Sequence, residues 1–216
     1  MRINKYLAYR YGCSRRGADQ AIERGEVFVN SQPASVGQEI SAEQDTIIWP
    51  GHTPIKKQGT TIKLHKPTGY VSSHEGQGSK TIYDLLPPEY QHLKIAGRLD
   101  KDSSGLMILS DDGNLIQELS HPSNNKIKVY RVTLHKELQD ADIKKLMIGV
   151  DIGDQQPSRM SVNKQEKRYV VSLEEGRNRQ IRRSFSALGY EVRTLHRTQI
   201  DKTHLDDLAS GEYKIM

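Results

Sequence analysis

The run Gly97-Arg98-Leu99-Asp100-Lys101-Asp102-Ser103-Ser104-Gly105-Leu106 constrains this chain more than any other segment. It is a tight polar turn with an apolar run on each side. On its C-terminal side it feeds into Leu106-Met107-Ile108-Leu109, which reads as a strand. Any fold containing it must present a polar loop at the end of an apolar strand. Asp100 then stands between an arginine and a turn, and reactive side chains tend to sit on loops that rigid elements position. Aspartates also occupy turns for a plainer reason, because they bond to nearby backbone N–H groups.

The spacing of Asp100, Asp102, Ser104, Gly105 and Asp111 imitates a calcium-binding loop. Three features argue against that reading. Residues 106–109 look like a strand rather than the rest of such a loop. The final position holds Asp111 instead of a bidentate glutamate. Arg98 and Lys101 add positive charge where the cation would sit.

The chain has 216 residues, 35% of them apolar and 27% charged, with a formal charge of +5. That length allows one large domain or a small one plus a medium one. The charge is mild but clustered: Arg2, Lys5, Arg10, Arg15, Arg16 and Arg24 at the start, and Arg177, Arg179, Arg182, Arg183, Arg193 and Arg197 near the end. Clustered cations are the expected footprint of phosphate contacts. Cys13 is the single cysteine, so no intramolecular disulfide is available and a reducing compartment is expected. The basic N-terminus lacks the apolar core of a signal peptide, and no apolar run is long enough to span a membrane. These points lead to an expected cytoplasmic location. The eight histidines show no metal-ligand spacing, and there is no P-loop or dinucleotide motif. No metal and no cofactor are therefore expected.

Ile3, Tyr6, Leu7 and Arg10 follow helical spacing, with Gly12 as a stop. Ser14 can cap a second helix whose inner face is Ala18, Ala21 and Ile22 and which ends at Gly25. Arg15 and Arg16 fall in its first turn, where Arg15 could pair with Asp19. Val27-Phe28-Val29 reads as a strand and Asn30-Ser31 as a turn. Residues 47–58, with Trp49-Pro50-Gly51, Pro54 and Lys56-Lys57, look like a linker. A second domain, 59–216, opens with the strand Ile62-Lys63-Leu64-His65-Lys66. Further strand-like runs lie at 106–109, 127–134, 168–173 and 190–195, with helical patterns near 114–120, 139–148 and 178–188. Strands and helices mix without regular alternation, which indicates an α+β domain on a mixed sheet.

Two further candidates come from this second domain. Extending a helix over 178–188 puts Ile181, Phe185 and Leu188 on its core face, Arg179 and Arg183 away from it, and Arg182 at its edge. A guanidinium beside a carboxylate would keep it ionised and oriented. The ordinary fate of such an arginine is the surface. Lys128-Val129-Tyr130-Arg131-Val132 alternates as a strand, and from pattern alone Tyr130 is a core tyrosine.

The segments around Asp100 and Glu175-Gly176-Arg177-Asn178-Arg179-Gln180-Ile181-Arg182-Arg183 together resemble motifs of the pseudouridine synthases, which isomerise uridine in RNA. Residues 1–46 resemble the S4 RNA-binding domain, through Arg2-Ile3-Asn4-Lys5-Tyr6-Leu7, Cys13-Ser14-Arg15-Arg16, Ala18-Asp19, Ile22, Gly25 and Val27-Phe28-Val29-Asn30. Ser31 stands where that pattern has glycine. The whole arrangement resembles the RsuA/RluB/RluE/RluF family of ribosomal RNA pseudouridine synthases, and the GRLDKDS run leans toward the RluF branch. Ser184 stands where the family usually has methionine. The chain also lacks the basic C-terminal extension of some members, so more reliance on the N-terminal domain for RNA is expected.

This resemblance implies a fold and a set of roles. A small S4-like α/β RNA-binding domain would precede a catalytic domain on a mixed, largely antiparallel β-sheet. Asp100 would be the nucleophile, Arg182 its ion-pair partner, and Tyr130 the ring against which the target base stacks, with its hydroxyl as a base late in the reaction. Lys5, Arg15, Arg16, Arg98, Arg177, Asn178, Arg179, Gln180 and Arg183 would face RNA. The implied partner is ribosomal RNA, large-subunit RNA being favoured, with transfer RNA as a second candidate. A monomer without a membrane partner is expected. The uridine would be flipped into a cleft, where Asp100 attacks either ribose C1′ or the base. The competing reading is a non-catalytic RNA-binding or ribosome-assembly protein on the same scaffold.

Overall fold

The structure is a computed structural model that describes residues 1–54, 59–166 and 168–216. It divides into two compact units, Met1–Gly59 and Thr60–Met216.

In the first unit, α1 (Ile3–Tyr11) ends at Gly12, whose left-handed φ of 75° lets its N–H reach back to Ala8 O. Such a reversal suits a residue without a Cβ. Next, α2 (Arg15–Glu23) is capped by Ser14, which accepts the Gly17 N–H at 2.9 Å. Arg15 donates to Asn4 Oδ1 at 3.1 Å, and Asn4 in turn donates to both Asp19 oxygens, so an amide bridges the expected Arg15–Asp19 contact. The strands β1 (Phe28–Val29), β2 (Gln32–Pro33) and β3 (Ile47–Ile48) form a small antiparallel sheet in the order β2-β1-β3. Ile3, Leu7, Ala18, Ala21, Ile22 and Val27 pack with Trp49 as its core. The linker expected from 47 is thus corrected at its start, because the pairing of Ile47 with Val29 and the burial of Trp49 tie residues 47–49 into this unit. The expected linker residues Lys56 and Lys57 lie outside the described residues. Asn30 and Ser31, with φ of 49° and 67°, make the left-handed turn between β1 and β2.

The second unit is built on β4 (Thr61–Lys66), β5 (Lys94–Ile95), β6 (Ser104–Ser110), β7 (Lys128–Leu134), β8 (Ser161–Gln165), β9 (Arg168–Leu173), β10 (Val192–Ile200), β11 (Thr203–His204) and β12 (Tyr213–Ile215). Among the described residues these make one mixed sheet ordered β12-β4-β6-β10-β7-β9-β8, with β11 on β10 and β5 on β6. Among the described strands of this sheet, only the β6–β10 pairing is parallel. This matches the α+β class and the largely antiparallel sheet. The helices α3 (Gly113–Ser120), α4 (Asp140–Ile148) and α5 (Gln180–Ala187) accompany it. The largest core joins Leu64, Met107, Val132, Val171, Ile181 and Phe185. At Gly105 (φ 113°) a Cβ would come within 2.2 Å of Arg197 O, so the close β6–β10 approach requires glycine there. No helix among the described residues is long and apolar enough to cross a membrane.

Candidate active site

The loop before β6 is held from beneath. Ser103 N–H closes a turn onto Asp100 O at 3.1 Å. Ser72 Oγ donates to Leu99 O at 2.7 Å and accepts the Leu99 N–H at 3.1 Å. Lys66 has no exposed surface, and its Nζ donates to the carbonyls of Asp100 (3.0 Å), Ser103 (2.6 Å) and Pro67 (3.1 Å). Burial pushes this ammonium down to about 8, and the Asp102 and Asp100 carboxylates oppose that push. The backbone on both sides of Asp100 is thereby fixed, and the Asp100 side chain stays partly exposed.

Asp100 and Tyr130 line one cleft of about 420 Å³, together with Arg98, Lys128, Asn178, Arg179 and Arg197. Tyr130 is 8% exposed and lies on β7 directly across from Arg197 on β10. The two strands hold both side chains on one face of the sheet, beneath the loop.

The arginine partners differ from the expectation. Arg179, not Arg182, pairs with Asp100, at 3.5 Å, and also grips Asp102 with two bonds of 3.1 and 3.0 Å. Arg182 donates to Asp102 O, to Ser103 Oγ and to Val192 O, and its Nε lies 3.2 Å from the Asp102 carboxylate. It anchors the loop and does not touch the Asp100 carboxylate. The reason is local: α5 begins at Gln180, and Arg179 is a left-handed residue (φ 47°) outside the helix. A helical wheel started at 178 therefore misdirects Arg179. These guanidiniums, Arg179 first, hold the Asp102 carboxyl below the usual carboxylate range.

Other expected RNA contacts are taken up by protein. Arg183 makes two bonds of 2.8 Å to Asp154, and Arg177 bonds Asp154 (3.0 Å), Glu175 (2.8 Å) and Gln156 O (2.6 Å). Gln180 is 3% exposed and donates to Ser158 Oγ. In this structure these three side chains bond to protein groups and shape the segment around the start of α5. Arg98 and Asn178 are exposed at the cleft, and Arg15 and Arg16 are exposed on α2; Lys5 is half-buried on α1. Ser184, in place of the usual methionine, is wholly buried and bonds Ser158 Oγ and Gln180 O, so a hydroxyl pair stands there.

Sequence reasoning missed Lys66, Lys128 and Arg197. One signal was present for Lys66: strand alternation puts it on the same face as Ile62 and Leu64, where a charge needs a special reason. For Arg197 the strand pattern was read only to 195, and β10 continues to 200.

The pattern of the RNA pseudouridylate synthase family matches residues 60–187, and that of the S4 domain matches residues 1–47. The chain is 34% identical to "Ribosomal small subunit pseudouridine synthase A" of Vibrio vulnificus, over all of this chain and 96% of that one. It is 35% identical to "Dual-specificity RNA pseudouridine synthase RluF" of Escherichia coli (strain K12), over 99% of this chain and 74% of that one. A solved structure titled "Crystal structure of pseudouridylate synthase" superposes with a TM-score of 0.75 at 29% identity, covering 100% of this chain and 96% of that one. A loop-borne carboxylate over a tyrosine-floored cleft and these matches agree, and the chain belongs to the RNA pseudouridine synthases, in the S4-bearing RsuA/RluF group.

Proposed function

We propose that the chain isomerises a uridine of structured ribosomal RNA, with Asp100 as the attacking group. The observation that carries this is the convergence of Asp100 and Tyr130 on one cleft, with the Asp100 backbone immobilised and its carboxylate facing outward. A flipped uridine enters that cleft, at a cost of a few kcal/mol for unstacking. The ring of Tyr130 offers a stacking face. Asp100 attacks ribose C1′ or the base, the N1–C1′ bond breaks, the uracil turns, C5 bonds to C1′ and the bond to Asp100 breaks to release the carboxylate, while N1 gains a proton in place of the one lost from C5. The proton leaving C5 needs a base, and the Tyr130 hydroxyl is the candidate. A covalent step divides one high barrier into two lower ones.

Arg179 orients Asp100, and Arg182 acts through the backbone it anchors. The first unit binds RNA: two arginines in the first turn of α2 repel the positive end of the helix dipole, a cost that a docked phosphate reverses. The relatives' names divide between a small-subunit enzyme and a dual-specificity one, so large-subunit RNA is not preferred over small-subunit RNA here. A monomer acting in the cytoplasm, where ribosomal RNA is assembled, fits this reading. Pseudouridine should be mapped in both ribosomal RNAs from cells with and without the gene. Loss of one defined site supports the reading, and unchanged maps in both RNAs contradict it.

A further inference from the structure

Among the described residues, two cations at the cleft floor have no carboxylate in ion-pair contact. Lys128 and Tyr130 alternate on one face of β7, and Arg197 lies across from Tyr130 on β10. All three line the cleft. Lys128 is half-buried, and its Nζ donates to Glu174 O at 3.1 Å. Arg197 is 3% exposed; its Nε donates to Leu106 O at 2.8 Å, and its Nη1 lies 3.5 Å from Arg98 O. Its Nη2 is buried without a hydrogen-bond partner. Among the described residues neither cation has a carboxylate beside it. Burial, and then the Arg197 charge, push the Lys128 ammonium below its ordinary value.

Buried charges are normally paired, because desolvating a lone ion is costly. Here two like charges share one wall, and one guanidinium nitrogen is unsatisfied. A neutral carbonyl would fill a hydrogen bond but leave the repulsion. A full anion removes both defects. The cleft, at about 420 Å³, is of a size that encloses a whole small ligand. We propose that Lys128 and Arg197 form a phosphate subsite that takes the phosphodiester of the nucleotide whose base enters the cleft. This rests on reading the cleft as the uridine site. It adds that a flipped nucleotide is gripped by its own backbone as well as by its base.

The test uses the full-length protein and four probes: uridine, uridine 5′-monophosphate, uridine 3′-monophosphate and inorganic phosphate, titrated by calorimetry or chemical shift. At least one monophosphate should bind tenfold or more tighter than uridine, with inorganic phosphate competing against it. Lys128→Met should reduce the preference to below threefold, Lys128→Gln should do the same, and Lys128→Arg should keep most of it. Thermal unfolding identifies which variants fold, and the wild-type comparison stands without them. Equal affinity for uridine and both monophosphates, including no detectable binding of any, overturns the proposal. So does a preference that persists undiminished in folded Lys128→Met or Lys128→Gln. No pseudouridine assay enters, so failure here is separate from failure of the isomerase reading.

Discussion

Lys66 directs its ammonium at three carbonyls and touches no solvent, which makes it the residue on which the Asp100 loop depends most. Hydrogen bonds from a charged donor contribute more than neutral ones, and stranding their acceptors adds a desolvation cost. Lys66→Met should therefore lower stability by about 3 kcal/mol in chemical denaturation. It should also lower kcat more than KM rises, since the loop would lose its geometry. The arginines divide differently. Arg179→Ala removes the Asp100 ion pair and should cost about a hundredfold in kcat, typical of a reacting group misplaced by about 1 Å. Arg182→Ala removes loop anchors, so it should lower the thermal midpoint as well as kcat. If Arg182→Ala abolishes turnover at unchanged stability while Arg179→Ala keeps it, the motif-based pairing of Arg182 with Asp100 is right and the observed pairing is not the working one.

At the scale of elements, the readable parts were those with strong period and punctuation. The two N-terminal helices were legible because Gly12 and Ser14 mark a stop and a start that the chain uses. β6, β7 and β9 were legible because apolar residues alternate or run together. β8 was not, since Ser161–Gln165 buries only Val162 and a polar edge strand carries no pattern. β5 and β11 are two residues long and depend on partners elsewhere in the sheet. The start of α5 was misjudged because a left-handed arginine is not an expected helix boundary. The turn at Ser31 gives a direct check on local strain. Its φ of 67° is one that glycine reaches without Cβ crowding. Ser31→Gly should raise stability by about 0.5–1 kcal/mol, after the larger chain entropy of glycine offsets part of the relief. An unchanged or lower thermal midpoint would show that Ser31 gains something in that turn beyond its backbone.

For the whole molecule, the order of motifs along the chain carried the reading. A basic helix pair comes first and a loop-borne carboxylate later, and the matched families follow the same order. The cations around the cleft were hidden, because only the folded sheet brings Lys66 and Lys128 near Arg197. The proposed division of labour between the units predicts separable defects. Arg15→Ala with Arg16→Ala, in the full chain, should weaken RNA binding and lower the slope of log K against log salt by roughly 0.7–0.9 for each phosphate that is no longer neutralised. Single-turnover rate at saturating RNA should change little. An unaltered salt slope would assign those arginines another task.

The central claim is that Asp100 carries out the bond rearrangement. Asp100→Asn preserves the side chain's shape and removes the reactive carboxylate. Purified wild-type protein and the variant should be given the same ribosomal RNA transcript, with pseudouridine quantified over time and RNA affinity measured alongside. The wild type should form pseudouridine, and the variant should bind the RNA within a few-fold and form none. Turnover by the pure variant at a rate comparable to wild type would contradict the assignment.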